Sequence, residues 1–96
     1  MKKYIVEILD NAIVEIENIT DYIAEDSVTN ALNWYEDITE KIRSLDSMPE
    51  RCPIADENPY FDFEVHCLLV SDYRVLYRIN GNKVEILHIK HPRMNR

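Results

Sequence analysis

Four side chains near the end of this chain are of types that act on anions. Arg74 and Arg78 sit in the run YRVLYRI at 73–79, and His91 and Arg93 follow in HPR at 91–93. A guanidinium offers paired donors to phosphate or carboxylate oxygens. An imidazole titrates near neutrality and serves as a general acid or base. Two guanidiniums and an imidazole suit a phosphate, so Arg74, His91 and Arg93 form the candidate catalytic set. Arg74, Arg78, Lys90, Arg93 and Arg96 are the candidates for contact with a nucleic acid or another target. The competing reading is that the arginines only balance nearby carboxylates. Arg78 favours it, because one hairpin register brings Glu85 opposite.

Other chemistries lack their motifs. Cys52 and Cys67 come without a CxxC pair or a Cys/His cluster, so no zinc site is expected and the thiols are read as reduced. The single glycine, Gly81, excludes a glycine-rich phosphate cradle. No Ser/His/Asp nucleophile arrangement is present as a motif. No metal and no cofactor are expected.

The elements that must position these residues follow from periodicity. KYIVEIL at 3–9 reads as a strand. Asp10 or Asn11 is placed to cap a helix over roughly 11–25, in which Ile13, Ile16, Ile19 (or Thr20) and Ile23 recur at helical spacing. Asp26 or Ser27 caps a second helix. It carries Ala31, Trp34, Tyr35, Ile38, Ile42 and Leu45 on one stripe. So short a break makes the two helices an antiparallel hairpin. Residues 47–60 hold three prolines and no periodicity, and read as a long loop. Three strand-like runs follow at 61–70, 73–80 and 83–90, joined by Ser71-Asp72 and by Asn80-Gly81-Asn82. Asn-Gly signals a type I′ hairpin turn with positive φ at both central residues. The order β-α-α-β-β-β predicts an α+β fold, with the helical hairpin on one face of a mostly antiparallel four-stranded sheet. The other face is expected to be open for binding.

Strand parity sorts the side chains. Tyr73, Val75, Tyr77 and Ile79 should face the helices, with Arg74 and Arg78 on the other face, about 13 Å apart. Two-residue loops put Leu68, Val70, Val84 and Ile86 on the core face. They put Cys67, Leu69, Glu85, Leu87, Ile89 and His91 on the arginine face. A slip of one residue would invert such assignments. His66 and His88 share parity with the core and read as satisfied, partly buried histidines.

The chain has 96 residues and a formal net charge of −7, which fits one domain, 1–96. The charge is uneven. Residues 1–63 carry 15 Asp and Glu against 5 Lys and Arg, while 64–96 carry 3 against 6. The basic third should face an anionic or acidic partner. No apolar run approaches the ~20 residues of a membrane span. The start, MKKYIVEILDNA, lacks the apolar stretch of a secretory signal, so a cytoplasmic protein is expected.

Four stretches together carry a family resemblance. They are the opening strand leading into a helix from near Ala12 to Tyr22-Ile23-Ala24, the helix end IRSLDSMPERCPIADE, the run DYRVLYRINGNKVEILHI, and the closing HPR. In this order they resemble the RelE/ParE superfamily of type II toxin–antitoxin toxins, the plasmid stabilisation protein family, over essentially the whole chain. The resemblance implies the small α+β toxin fold and a growth-inhibiting toxin with a cognate antitoxin, whose C-terminal segment covers the open sheet face as a helix or strand. It implies one of two activities. RelE-like members are metal-independent mRNA interferases on the ribosome; ParE-like members bind DNA gyrase and are not nucleases. Arg74 matches the arginine that is catalytic in nucleolytic members, and His91 and Arg93 fall near the family's C-terminal basic or histidine positions. Val65 and Cys67 stand where RelE has lysines, and His66 where many members have arginine. This favours the gyrase-binding reading over the nuclease. A degenerate, non-toxic interaction module of the same fold is the alternative. A homodimer or a toxin–antitoxin hetero-oligomer is compatible with the resemblance.

Overall fold

The computed structural model describes residues 2–91. The elements run β1 (Ile5–Ile8), α1 (Asp10–Ala24), α2 (Val28–Arg43), β2 (His66–Val70), β3 (Tyr73–Asn80) and β4 (Lys83–Lys90). The sheet order is β1-β4-β3-β2. β1 lies parallel to β4, and the other two pairings are antiparallel. The expected α+β architecture is therefore observed.

The helices form where the apolar spacing demands burial. α1 buries Ala12, Ile16 and Ile19, and α2 buries Ala31, Trp34, Ile38 and Ile42. Leu45 extends the stripe past the helix end and is fully buried. Tyr35, expected on the same stripe, is exposed; the apolar arc of α2 is wider than the face the sheet can cover. Ser27 caps α2, its hydroxyl accepting from the Asn30 N–H at 3.1 Å. α1 differs from expectation: Asp10 is its first helical residue and no side chain caps it. The Asp10 charge still lies at the positive end of the helix dipole. Against the helices pack Val70, Val75, Tyr77, Val84, Ile86 and Ile89.

Both hairpin loops have the expected two residues, with Val70 opposite Tyr73 and Asn80 opposite Lys83. In the second, only Gly81 has positive φ, at 64°. The turn is therefore not the I′ type, which needs positive φ at both central residues.

Two expectations fail at the sheet. Residues 61–65 are not strand; β2 begins at His66. Just before it the chain pairs with the proline-rich loop, through Ala55 N–H to the Val65 carbonyl at 2.8 Å and Cys67 N–H to the Pro53 carbonyl at 2.9 Å. Nor is the second sheet face open. Ala55, Val65, Cys67, Leu76 and Leu87 form a second small core there, with Leu9 and Phe61 against it. Apolar side chains on that face require a cover, and the long loop supplies it.

Candidate functional site

Arg74 is positioned by the β2–β3 hairpin, directly opposite Leu69. Its guanidinium grips Glu57 with two parallel bonds, Nη1 to Oε2 at 2.6 Å and Nη2 to Oε1 at 2.7 Å. This is the bidentate fork of a strong arginine–carboxylate pair. The two side chains are 17% and 20% exposed, so the pair is only weakly screened by solvent. The Arg74 bond holds the Glu57 carboxyl below its ordinary range, and the same bond raises the arginine further still. Lys90 faces Arg74 across β3 and β4 and adds to the field on Glu57.

Beside the guanidinium opens a cleft of about 570 Å³. Arg51, Cys52, Pro53, Ile54, Ala55, Asp56, Cys67, Leu69 and Arg74 line it. Burial pushes the Cys67 thiol up, against the opposing pull of Arg74, so it is a poor nucleophile at neutral pH. Arg51 is committed to its own loop, donating to the Ser47 and Met48 carbonyls at 2.7 and 3.2 Å and to the Ser44 hydroxyl at 2.9 Å. Among the described residues no three His, Cys, Asp or Glu side chains converge as a metal site would require.

The remaining candidates separate. Arg78 pairs with Glu85 at 2.8 Å across the hairpin, as its register implied, and lies 4.2 Å over the Phe63 ring. Arg93 and Arg96 lie outside the described residues. His91 does not join Arg74 on the arginine face, because β4 carries a bulge. Tyr77 is opposite Ile86 but Leu76 is opposite His88, so Leu87 is an extra residue. Parity inverts beyond it. Ile89 enters the helix-side core opposite Val75. His91 meets Tyr73 and Tyr22 edge-on, at 5.0 and 6.3 Å between ring centres. Glu15 on α1 sustains the bulge. It accepts from the Ile89 N–H at 2.9 Å and lies 3.4 Å from His88 Nδ1.

His66 is buried and structural. Its Nδ1 donates to the Cys52 carbonyl at 2.8 Å, and its ring stacks on Tyr77 at 5.4 Å. Glu57 was the residue that sequence reasoning missed. Its only signal was an acidic residue in a loop that must return over a basic strand.

The two-helix, four-stranded arrangement, with an arginine fork beside a loop-covered cleft, defines a small α+β fold. A solved structure titled "Chromosomal ParDE TA system from P. aeruginosa" matches it with a TM-score of 0.78 at 20% identity. The match covers 95% of this chain and 98% of that one. No curated protein matches the sequence. The family model described as "ParE toxin of type II toxin-antitoxin system, parDE" matches residues 6–96. The chain belongs to that family. Membership implies an antitoxin partner. Among the described residues no helix is long and apolar enough to cross a membrane.

Proposed function

We propose that this chain arrests growth by binding DNA gyrase and does not cleave mRNA. The observation that carries the reading is the β4 bulge. It directs His91 to Tyr73 and Tyr22, so the candidate imidazole and the Arg74 guanidinium do not share a face. In-line attack on a phosphate needs charge stabilisation and proton transfer at one place. The net charge of −7 also opposes association with the phosphate-rich ribosome, where affinity rests on neutralising phosphates. In this reading Arg74, Lys90 and Arg93 are contacts with a protein, and the absence of the RelE lysines at Val65 and Cys67 costs nothing. The test is induced expression in a bacterial host with mapping of transcript 5′ ends. Growth arrest with intact transcripts is expected. Cleavage at defined codons, lost in Arg74→Ala, would overturn it.

The antitoxin segment, in the same proposal, lies on the helical hairpin, because the loop already covers the other sheet face. Val28, Leu32 and Tyr35 form a second, exposed apolar stripe on α2. Ile13 and Ile8 join Tyr35 and Thr39 around an adjoining groove. An amphipathic helix or an added strand is the form that fits such a surface.

A further inference from the structure

We propose that Glu57 is an internal placeholder. Arg74 and the cleft beside it form a seat for an acidic side chain of a partner protein, and Glu57 fills that seat until the partner's carboxylate displaces it. The seat's ligand chemistry is already on display. The guanidinium holds a planar two-oxygen group by both amino nitrogens, at 2.6 and 2.7 Å, the geometry by which arginine selects carboxylates.

Glu57 is not needed to hold its own loop. Backbone and side-chain bonds on either side do that: Ala55 N–H to the Val65 carbonyl at 2.8 Å, Asn58 N–H to the Ala55 carbonyl at 3.0 Å, and Val65 N–H to Asn58 Oδ1 at 2.8 Å. Exchange therefore requires rotation of one side chain and no refolding of the loop. The guanidinium also borders a cleft of about 570 Å³ whose rim includes Ile54 and Leu69, 45% and 67% exposed. An incoming carboxylate would find apolar surface for its neighbours, which is the composition of a peptide site. Lys90 lies across from Arg74, so two cations meet one carboxylate. An acidic segment is attracted there although the whole chain is negative. The apolar rim disfavours a nucleic-acid backbone, whose affinity rests on neutralising many successive phosphates. The inference concerns what Arg74 grips and stands whichever cellular target the toxin has.

The test is an NMR titration of ¹⁵N-labelled full-length protein, following the Arg74 Nε–Hε signal and the Leu69 amide. The probes are an acetylated, amidated Gly-Leu-Glu-Leu-Gly peptide, its Gly-Leu-Gln-Leu-Gly counterpart, and inorganic phosphate. In Glu57→Ala the Glu peptide should shift both signals saturably, about ten-fold tighter than in the unmodified protein, because the competing carboxylate is gone. The Gln peptide should shift neither. Should Glu57→Ala lose its dispersed spectrum, Glu57→Gln, which keeps the side-chain volume, takes its place. Equal affinity with and without Glu57 would overturn the proposal, as would equal binding of the Gln peptide or no saturable shift. Phosphate saturating the Arg74 signal where the Glu peptide does not would replace it with a phosphate seat.

Discussion

Glu57 sets what Arg74 presents to the outside. The fork between them is a part-buried ion pair, so breaking it strands a charge whose hydration the fold has reduced. The folded-state carboxyl lies below its ordinary value. Its contribution is therefore complete above the unfolded carboxyl's range and fades as pH falls through the folded value. Glu57→Gln should cost about 1 kcal/mol at neutral pH, and the gap to the unmodified protein should narrow as pH falls through and below the ordinary carboxylate range. Denaturant melts of the two proteins at a series of pH values would check this; a gap that widens in acid would contradict it. Arg74 could be picked out by strand parity and by its place in YRVLYRI. Its partner could not, because it lies 17 positions away in a loop with no periodicity to place it.

At the scale of elements, the sequence shows most where burial repeats. Ile16 and Ile19 of α1, most of the α2 stripe and the alternation of β3 appear as expected, but Ile13, expected on the buried face of α1, is exposed and Ala12 is buried in its place. β4 carries its bulge in plain view: in VEILHI the apolar positions 84, 86, 87 and 89 slip from one parity to the other between Ile86 and Leu87. Reading those residues as one unbroken alternation put Ile89 and His91 on the wrong face. A bulge leaves backbone groups without a ladder partner, and Glu15 takes up the Ile89 N–H. Glu15→Ala should therefore destabilise the fold by about 1–3 kcal/mol and speed amide exchange at Ile89. Thermal melting and hydrogen exchange would show it, and an unchanged Ile89 rate would contradict it. On α2 the exposed stripe has its own consequence. Leu32 is 57% exposed, so Leu32→Glu should leave the fold intact yet weaken antitoxin binding at least ten-fold in a pull-down or calorimetric titration. Unchanged affinity would move the antitoxin elsewhere.

For the whole molecule, composition foretold the charge asymmetry but not how the faces would be used. Two cores flank the sheet, the larger under the helices and the smaller under the proline-rich loop. The second escaped sequence reasoning because prolines and short single turns hide burial that no period reports: Pro49 is fully buried and its carbonyl accepts from the Tyr77 hydroxyl. That loop converts a face that parity left open into a cleft bordered by Arg74. Acidic residues crowd the first two thirds of the chain and basic ones the last, which favours an acidic partner at the basic third, where β3 and β4 lie. The reading of this surface as a protein-binding one is tested most directly by a supercoiling assay with purified gyrase and the purified chain. Supercoiling should fall with toxin concentration, and Arg74→Ala should need about ten-fold more protein for the same loss. Undiminished supercoiling at saturating toxin, alongside ribosome-dependent cleavage of a reporter transcript, would contradict it.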